Sequence, residues 1–243
     1  MIEVLDSTST MEGQGVKVNR LFPVSSRRMN HDPFVLFDHF SVEQGQGFDT
    51  HPHRGFEAIT FLFSGSMRHK DNLGNDSVVS PGGAQIFCAG RGISHSEMPE
   101  GDGPNNGIQF WISLEKKLKT IEPTYQLVDA VELPIISIDG VSRTIIVGDK
   151  SPVKMQNNIK YEYIAIEDQR TYKIQDIEGK SGLIYLISGS VEIQGNNLTK
   201  AQSVLFDTNN KSITLNAHSE CRLMYASGKP HLEPIIQYGP YVD

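Results

Sequence analysis

The chain nearly repeats itself once. Ile59–Ser66 reads ITFLFSGS and Leu183–Ser190 reads LIYLISGS, each a β-branched and aromatic run that ends in the same Ser-Gly-Ser turn. GGAQIF at Gly82–Phe87 follows the first copy and AQSVLF at Ala201–Phe206 follows the second, so more than one segment recurs in common order. A unit that recurs in this way is a structural module made twice, and 243 residues are enough for two modules that each bury a core. The connection is expected within Glu115–Leu133, near Pro123 and Pro134, which gives domains over residues 1–125 and 126–243.

Both modules read as β-structure. Twenty-two glycines and twelve prolines separate short runs of Val, Ile, Phe, Tyr and Thr, a pattern of strands and turns rather than of helices. Strands are predicted at Ala58–Phe63, Gln85–Cys88, Gly107–Ser113, Thr144–Val147, Tyr161–Ile166, Leu183–Ile187, Ser203–Phe206 and Arg222–Ala226. Helix is confined to short connectors such as Ser113–Thr120.

Several function classes are disfavoured at once. With 29 acidic against 22 basic residues the formal net charge is −7, without the basic excess that draws a chain to nucleic acid or anionic lipid. Cys88 and Cys221 stand far apart, so neither a disulfide framework nor a thiolate zinc site is indicated. No apolar stretch approaches the length of a membrane span, and no apolar run follows a basic start. A soluble, cytoplasmic monomer is expected, with no direct nucleic-acid or membrane partner.

Chemistry concentrates in two short segments. In Thr50–Gly55, THPHRG, His51 and His53 stand two apart and project from one face of an extended strand. In Gly92–Met98, GISHSEM, His95 and Glu97 repeat that spacing. Three imidazoles and a carboxylate suit a divalent transition metal and leave coordination positions open. Glu57 keeps the parity of His51 if the strand runs unbroken through Gly55, which makes it a fifth donor, an acceptor that orients a histidine ring, or a surface acid; the orienting or structural role is preferred. His31, His69, His218 and His231 read as ordinary solvated or hydrogen-bonded residues, and His39 sits in aromatic core sequence. Carried across the repeat, the four donors fall on Gln175, Ile177, Thr214 and Asn216, so the C-terminal domain is expected to hold no metal.

The segments THPHRGFEAITFLFSG, PGGAQIFCAGRGISHSEMP, DPFVLFDHF, GIQFWISL and GKPHLEPIIQYGPYVD, in that combination, resemble the pirin family of bicupins. Gly45 ahead of His51 and Gly92 ahead of His95 also resemble the two general cupin motifs, whereas residues 150–215 match only in outline. The resemblance implies an all-β bicupin of two tandem β-sandwich barrels, jelly rolls of the RmlC-like type, with a few short helices. It also implies one metal, iron(II), held by His51, His53, His95 and Glu97 in the first barrel; the same donors serve nickel, manganese, cobalt, copper or zinc.

Two activities follow from the family. Some members open the flavonol quercetin with dioxygen, which implies a small aromatic substrate and O2, with Glu97 as the catalytic base that takes the flavonol proton. Phe56, Phe61, Phe87 and Trp111 either line a flat apolar pocket or form ordinary core. Animal members are described as transcriptional co-regulators, which implies instead a non-catalytic, metal-dependent module with a protein partner.

Overall fold

The computed structural model describes residues 2–243, and the chain is nearly all antiparallel β-structure. It divides into two compact units that interleave in sequence. One comprises Thr8–Glu132, Val153–Asn157 and His231–Asp243; the other comprises Leu133–Pro152, Asn158–Pro230 and the N-terminal segment through Ser7. The expectation of a single crossing after residue 125 differs from this division, because both chain ends belong to the unit that the rest of their half does not form.

The unit with Thr8–Glu132 consists of two sheets. Its larger sheet has seven strands in the order Thr124–Val128, Ala84–Cys88, Phe56–Ser64, Asn105–Ser113, Phe34–Val42, Val16–Phe22 and Thr8–Glu12. Its smaller sheet has four, Phe48–His53, Ile93–Pro99, Met67–Asp71 and Asp76–Val79. Phe56–Ser64 and Asn105–Ser113 lie in the middle of the large sheet and are buried almost throughout, as their continuous apolar sequence requires. Pro52 is tolerated because Phe48–His53 is an edge strand, where a missing N–H breaks no ladder.

The second unit repeats the plan. Its seven strands run in the order Ile2–Asp6, Gln202–Phe206, Ser181–Ser188, Cys221–Gly228, Ile159–Ile166, Val141–Val147 and Ile135–Ile138, and its smaller sheet holds Thr171–Ile174, Ile213–Ala217, Val191–Ile193 and Asn196–Leu198. The repeated SGS turn therefore leads, in both units, from a central strand of the large sheet into the small one. Every predicted strand falls inside an observed one. The helix expected over Ser113–Thr120 is a single 3-10 turn, Lys116–Leu118, and a second such turn covers Ala130–Glu132. The first turn buries no side chain, so nothing drives it to lengthen.

Strand register refines the repeat. Met67 lies opposite Pro99 in the first unit and Val191 opposite Ala217 in the second, which sets Ile213 and Leu215 in the places of His95 and Glu97. His51 lies opposite His95 as Ile174 lies opposite Ile213. Mapping by sequence offset onto Thr214 and Asn216 is thus displaced by one residue, and one residue in a strand exchanges the inward face for the outward one. The inward positions of the second unit are apolar and fully buried, part of a core with Ile164, Ile184, Leu186 and Leu223.

Candidate metal centre

Three of the four expected donors meet in one place. The ring centroids of His51 and His53 are 4.6 Å apart, those of His51 and His95 4.6 Å, and those of His53 and His95 4.9 Å. One ring nitrogen from each lies within 4.8 Å of the other two. His95 sits across from His51 in the ladder, and a register shift between His95 and Glu97 places Glu97 opposite Phe48. That bulge in Phe48–His53 re-aims the histidines relative to the carboxylate.

Each ring is anchored through Nδ1. His51 bonds the carbonyl of Asp49 at 2.6 Å, His53 the carbonyl of Pro240 at 3.2 Å, and His95 the Nδ1 of His69 at 3.2 Å. Nε2 is left as the candidate ligating atom in all three, and the buried Nε2 of His95 has no hydrogen-bond partner. An orphaned imidazole nitrogen in a fully buried ring is costly in a closed core and natural where a cation completes it. Burial first, then the neighbouring rings of His53, His51 and His69, hold His95 well below the ordinary imidazole range. Burial and His51 lower His53 to about 3, against a smaller opposing effect of the Pro240 carbonyl. His53 and His95 are therefore neutral at physiological pH, the form that binds metal.

Glu97 is buried beside this cluster and groups by distance with His95 and His69. Its Oε1 accepts from the Gln85 amide and from the Thr60 hydroxyl at 3.3 Å, and its Oε2 accepts from the Gln109 amide at 2.7 Å. Three donors and no acceptor surround it, the outer setting a ligating carboxylate needs. The tetrad expected from sequence is thus a histidine triad with Glu97 on its flank.

Sequence reasoning missed His69, Asp71 and Pro240. Of its two expected readings His69 takes the hydrogen-bonded one, fully buried, with its Nε2 bonded to Asp71 Oδ2 at 3.0 Å. Burial opposes ionisation of Asp71, but hydrogen bonds from His69, Asn75 and Leu73 prevail and lower its carboxyl below the usual range. The signal was available: in MRHKD after the SGS turn, Met67, His69 and Asp71 share a face, and an apolar Met67 marks that face as inward. Pro240 carried no signal, since a backbone carbonyl has no sequence signature.

Glu57 lies elsewhere. It is 1% exposed and accepts from the N–H groups of Gln156 and Asn157 at 2.8 and 2.9 Å, which makes it structural. Parity from His51 is broken at Gly55, whose φ of +83° carries the chain from the small sheet to the large one. A Cβ at Gly55 would stand 1.8 Å from the Val242 carbonyl oxygen.

Next to the triad opens a cavity of about 370 Å3 whose wall includes His51, His53, Glu97, Gln109 and Trp111. Trp111 is the one of the four suggested aromatics that faces it; Phe56 and Phe87 buttress the ring of His53 at 5.1 and 5.6 Å, and Phe61 is core. Arg20, also in the wall, is committed to Asp38 at 2.8 and 2.6 Å and to Glu12 at 2.7 Å.

A two-sheet antiparallel domain made twice, with a histidine cluster on the small sheet of one copy, defines a two-domain cupin. The chain belongs to the pirin family. Residues 15–112 match the Pirin family and residues 161–243 the Pirin C-terminal cupin domain. It is 35% identical to a pirin-like protein of Solanum lycopersicum over 95% of this chain and 82% of that one, and 34% identical to human pirin over 97% and 84%. The crystal structure of quercetin 2,3-dioxygenase from Acinetobacter baumannii superimposes with a TM-score of 0.91 at 25% identity, covering 99% of this chain and 90% of that one.

Proposed function

We propose that this protein is a cytoplasmic dioxygenase that holds one divalent metal, iron(II), on His51, His53, His95 and Glu97 and opens quercetin or a related enolic phenol with O2. The observation that carries this reading is the orphaned His95 Nε2 within an imidazole triad that borders a cavity large enough for a flat aromatic ligand. Similarity to the Acinetobacter baumannii enzyme supports the substrate class. The neutralised Arg20 agrees with it, because a cavity wall without a free guanidinium favours a hydroxylated neutral ring over a carboxylic acid.

The metal would supply Lewis-acid and redox chemistry to the substrate oxygen and O2. The residues do the rest. Imidazoles fixed through Nδ1 keep their lone pairs pointed at one position, so binding requires little rearrangement. Glu97 Oε2, with a single donor in Gln109, retains capacity to take the 3-hydroxyl proton of the flavonol. Trp111, stacked on Phe56 at 4.1 Å, offers a rigid apolar wall that excludes water from the ring.

The test is loss of quercetin absorbance with matching oxygen uptake by protein loaded anaerobically with iron(II), with His95→Ala as control. Turnover by the wild type alone supports the dioxygenase. Metal binding without turnover would replace it with the non-catalytic regulatory module. Glu97→Gln should retain part of the metal and lose kcat more than KM; undiminished turnover there would remove Glu97 as the base.

A further inference from the structure

We propose that His69 and Asp71 are positioning residues for the metal centre, a hydrogen-bonded relay that fixes the tautomer and orientation of His95. The inference rests on the metal reading above and assigns it two residues outside the donor set.

The proton order follows from the far end. Asp71 faces donors only: the backbone N–H groups of Leu73 and Asn75 at 2.9 and 3.0 Å and the Asn75 amide at 3.1 and 2.8 Å. A carboxylate so placed accepts, so the 3.0 Å contact requires His69 to carry its proton on Nε2. In the proposed relay the ring carries that proton alone, which leaves a lone pair on Nδ1. Across the 3.2 Å contact His95 must therefore donate from its own Nδ1, which leaves the lone pair of His95 on Nε2, the atom without a partner. Were the relay absent, the other tautomer would turn an N–H toward His51 and His53 and abolish one ligand. Orientation is fixed as well, since His69 is stacked on Tyr125 at 4.1 Å with an interplanar angle of 16°.

The experiment measures nickel(II) affinity by chelator competition for wild type, His69→Phe, His69→Gln and Asp71→Asn, with the metal-free unfolding midpoint of each as a check on folding. Phenylalanine keeps the stack on Tyr125 and removes both nitrogens; glutamine keeps an oxygen that accepts from His95. Nickel should bind roughly 10- to 100-fold more weakly to His69→Phe, with partial recovery in His69→Gln and a smaller loss in Asp71→Asn. In the zinc(II)-loaded wild type, nitrogen-15 NMR should place a proton on His95 Nδ1, hydrogen-bonded to His69. Equal affinity in all four proteins, or a proton on His95 Nε2 in the metal-free wild type, would overturn the relay while leaving the metal reading intact. No binding by the wild type would overturn both. Two nickel ions per wild-type chain, one of them lost in His69→Phe, would put a metal between His69, His95 and Glu97 and overturn the relay alone.

Discussion

The carboxylate of Glu57 accepts hydrogen bonds from both the backbone N–H and the side-chain amide of Asn157, 100 residues further along the chain, at 2.9 and 2.8 Å. This contact holds Val153–Asn157 to the unit that contains the candidate metal centre, although its flanking sequence belongs to the other unit. Burial raises the Glu57 carboxyl above its usual range against these same hydrogen bonds, so the bonds offset a real desolvation cost.

Glu57→Gln should therefore destabilise the protein by about 1–3 kcal/mol, because an amide turns one donor toward donors that remain buried. Chemical denaturation would read the shift in midpoint. Metal content of the folded variant should match wild type, since Glu57 bonds none of the site histidines.

Acid should weaken the metal-free protein. His53 titrates near 3 when folded and near the ordinary 6.5 when unfolded, so between those values only the unfolded chain takes up the proton. The stability in question is complete above pH 6.5 and is lost as pH falls toward 3, with a slope of up to ~1.4 kcal/mol per pH unit from this one group. Unfolding midpoints of metal-free wild type and His53→Gln from pH 7 to 5 should diverge in slope by that order.

One metal per chain is expected. His51→Ala and His95→Ala should each lose most bound metal, whereas Gln175→Ala should keep it, as read by elemental analysis after dialysis. Equal content in all three would move the site elsewhere.

Gly55→Ala should be poorly tolerated. The substitution combines a φ of +83° with a Cβ 1.8 Å from the Val242 oxygen, and displacing that strand disturbs the Pro240 carbonyl that anchors His53. A loss of about 2 kcal/mol or more in thermal unfolding is expected, with weaker metal binding alongside.

What the sequence conveyed depended on how each residue is buried. Central strands such as Phe56–Ser64 and Ser181–Ser188 are covered on both faces and announce themselves as apolar runs. Val191–Ile193 and Asn196–Leu198, three residues each, are too short to show a period. His51, His53 and His95 were legible because two-residue spacing is a local signal. The inward face of His69 was legible beside Met67, but its placement beside the cluster was not, because that comes from a neighbouring strand that sets it opposite Glu97. Glu57 takes the structural and not the orienting of its two preferred roles, because parity carries along one strand and not across the bend at Gly55 that changes sheets.

The exchange of chain ends sets an order of assembly. Ile2–Asp6 has its ladder partner only once Gln202–Phe206 exists, and His53 has its carbonyl only once Pro240 does. Val242 is fully buried in one cluster with Phe56, Phe87 and Trp111, so that core also waits on the C-terminal segment. The anchoring of His53 thus waits on a carbonyl 187 positions further along the chain, so one ring of the candidate site is oriented by a segment remote from it in sequence.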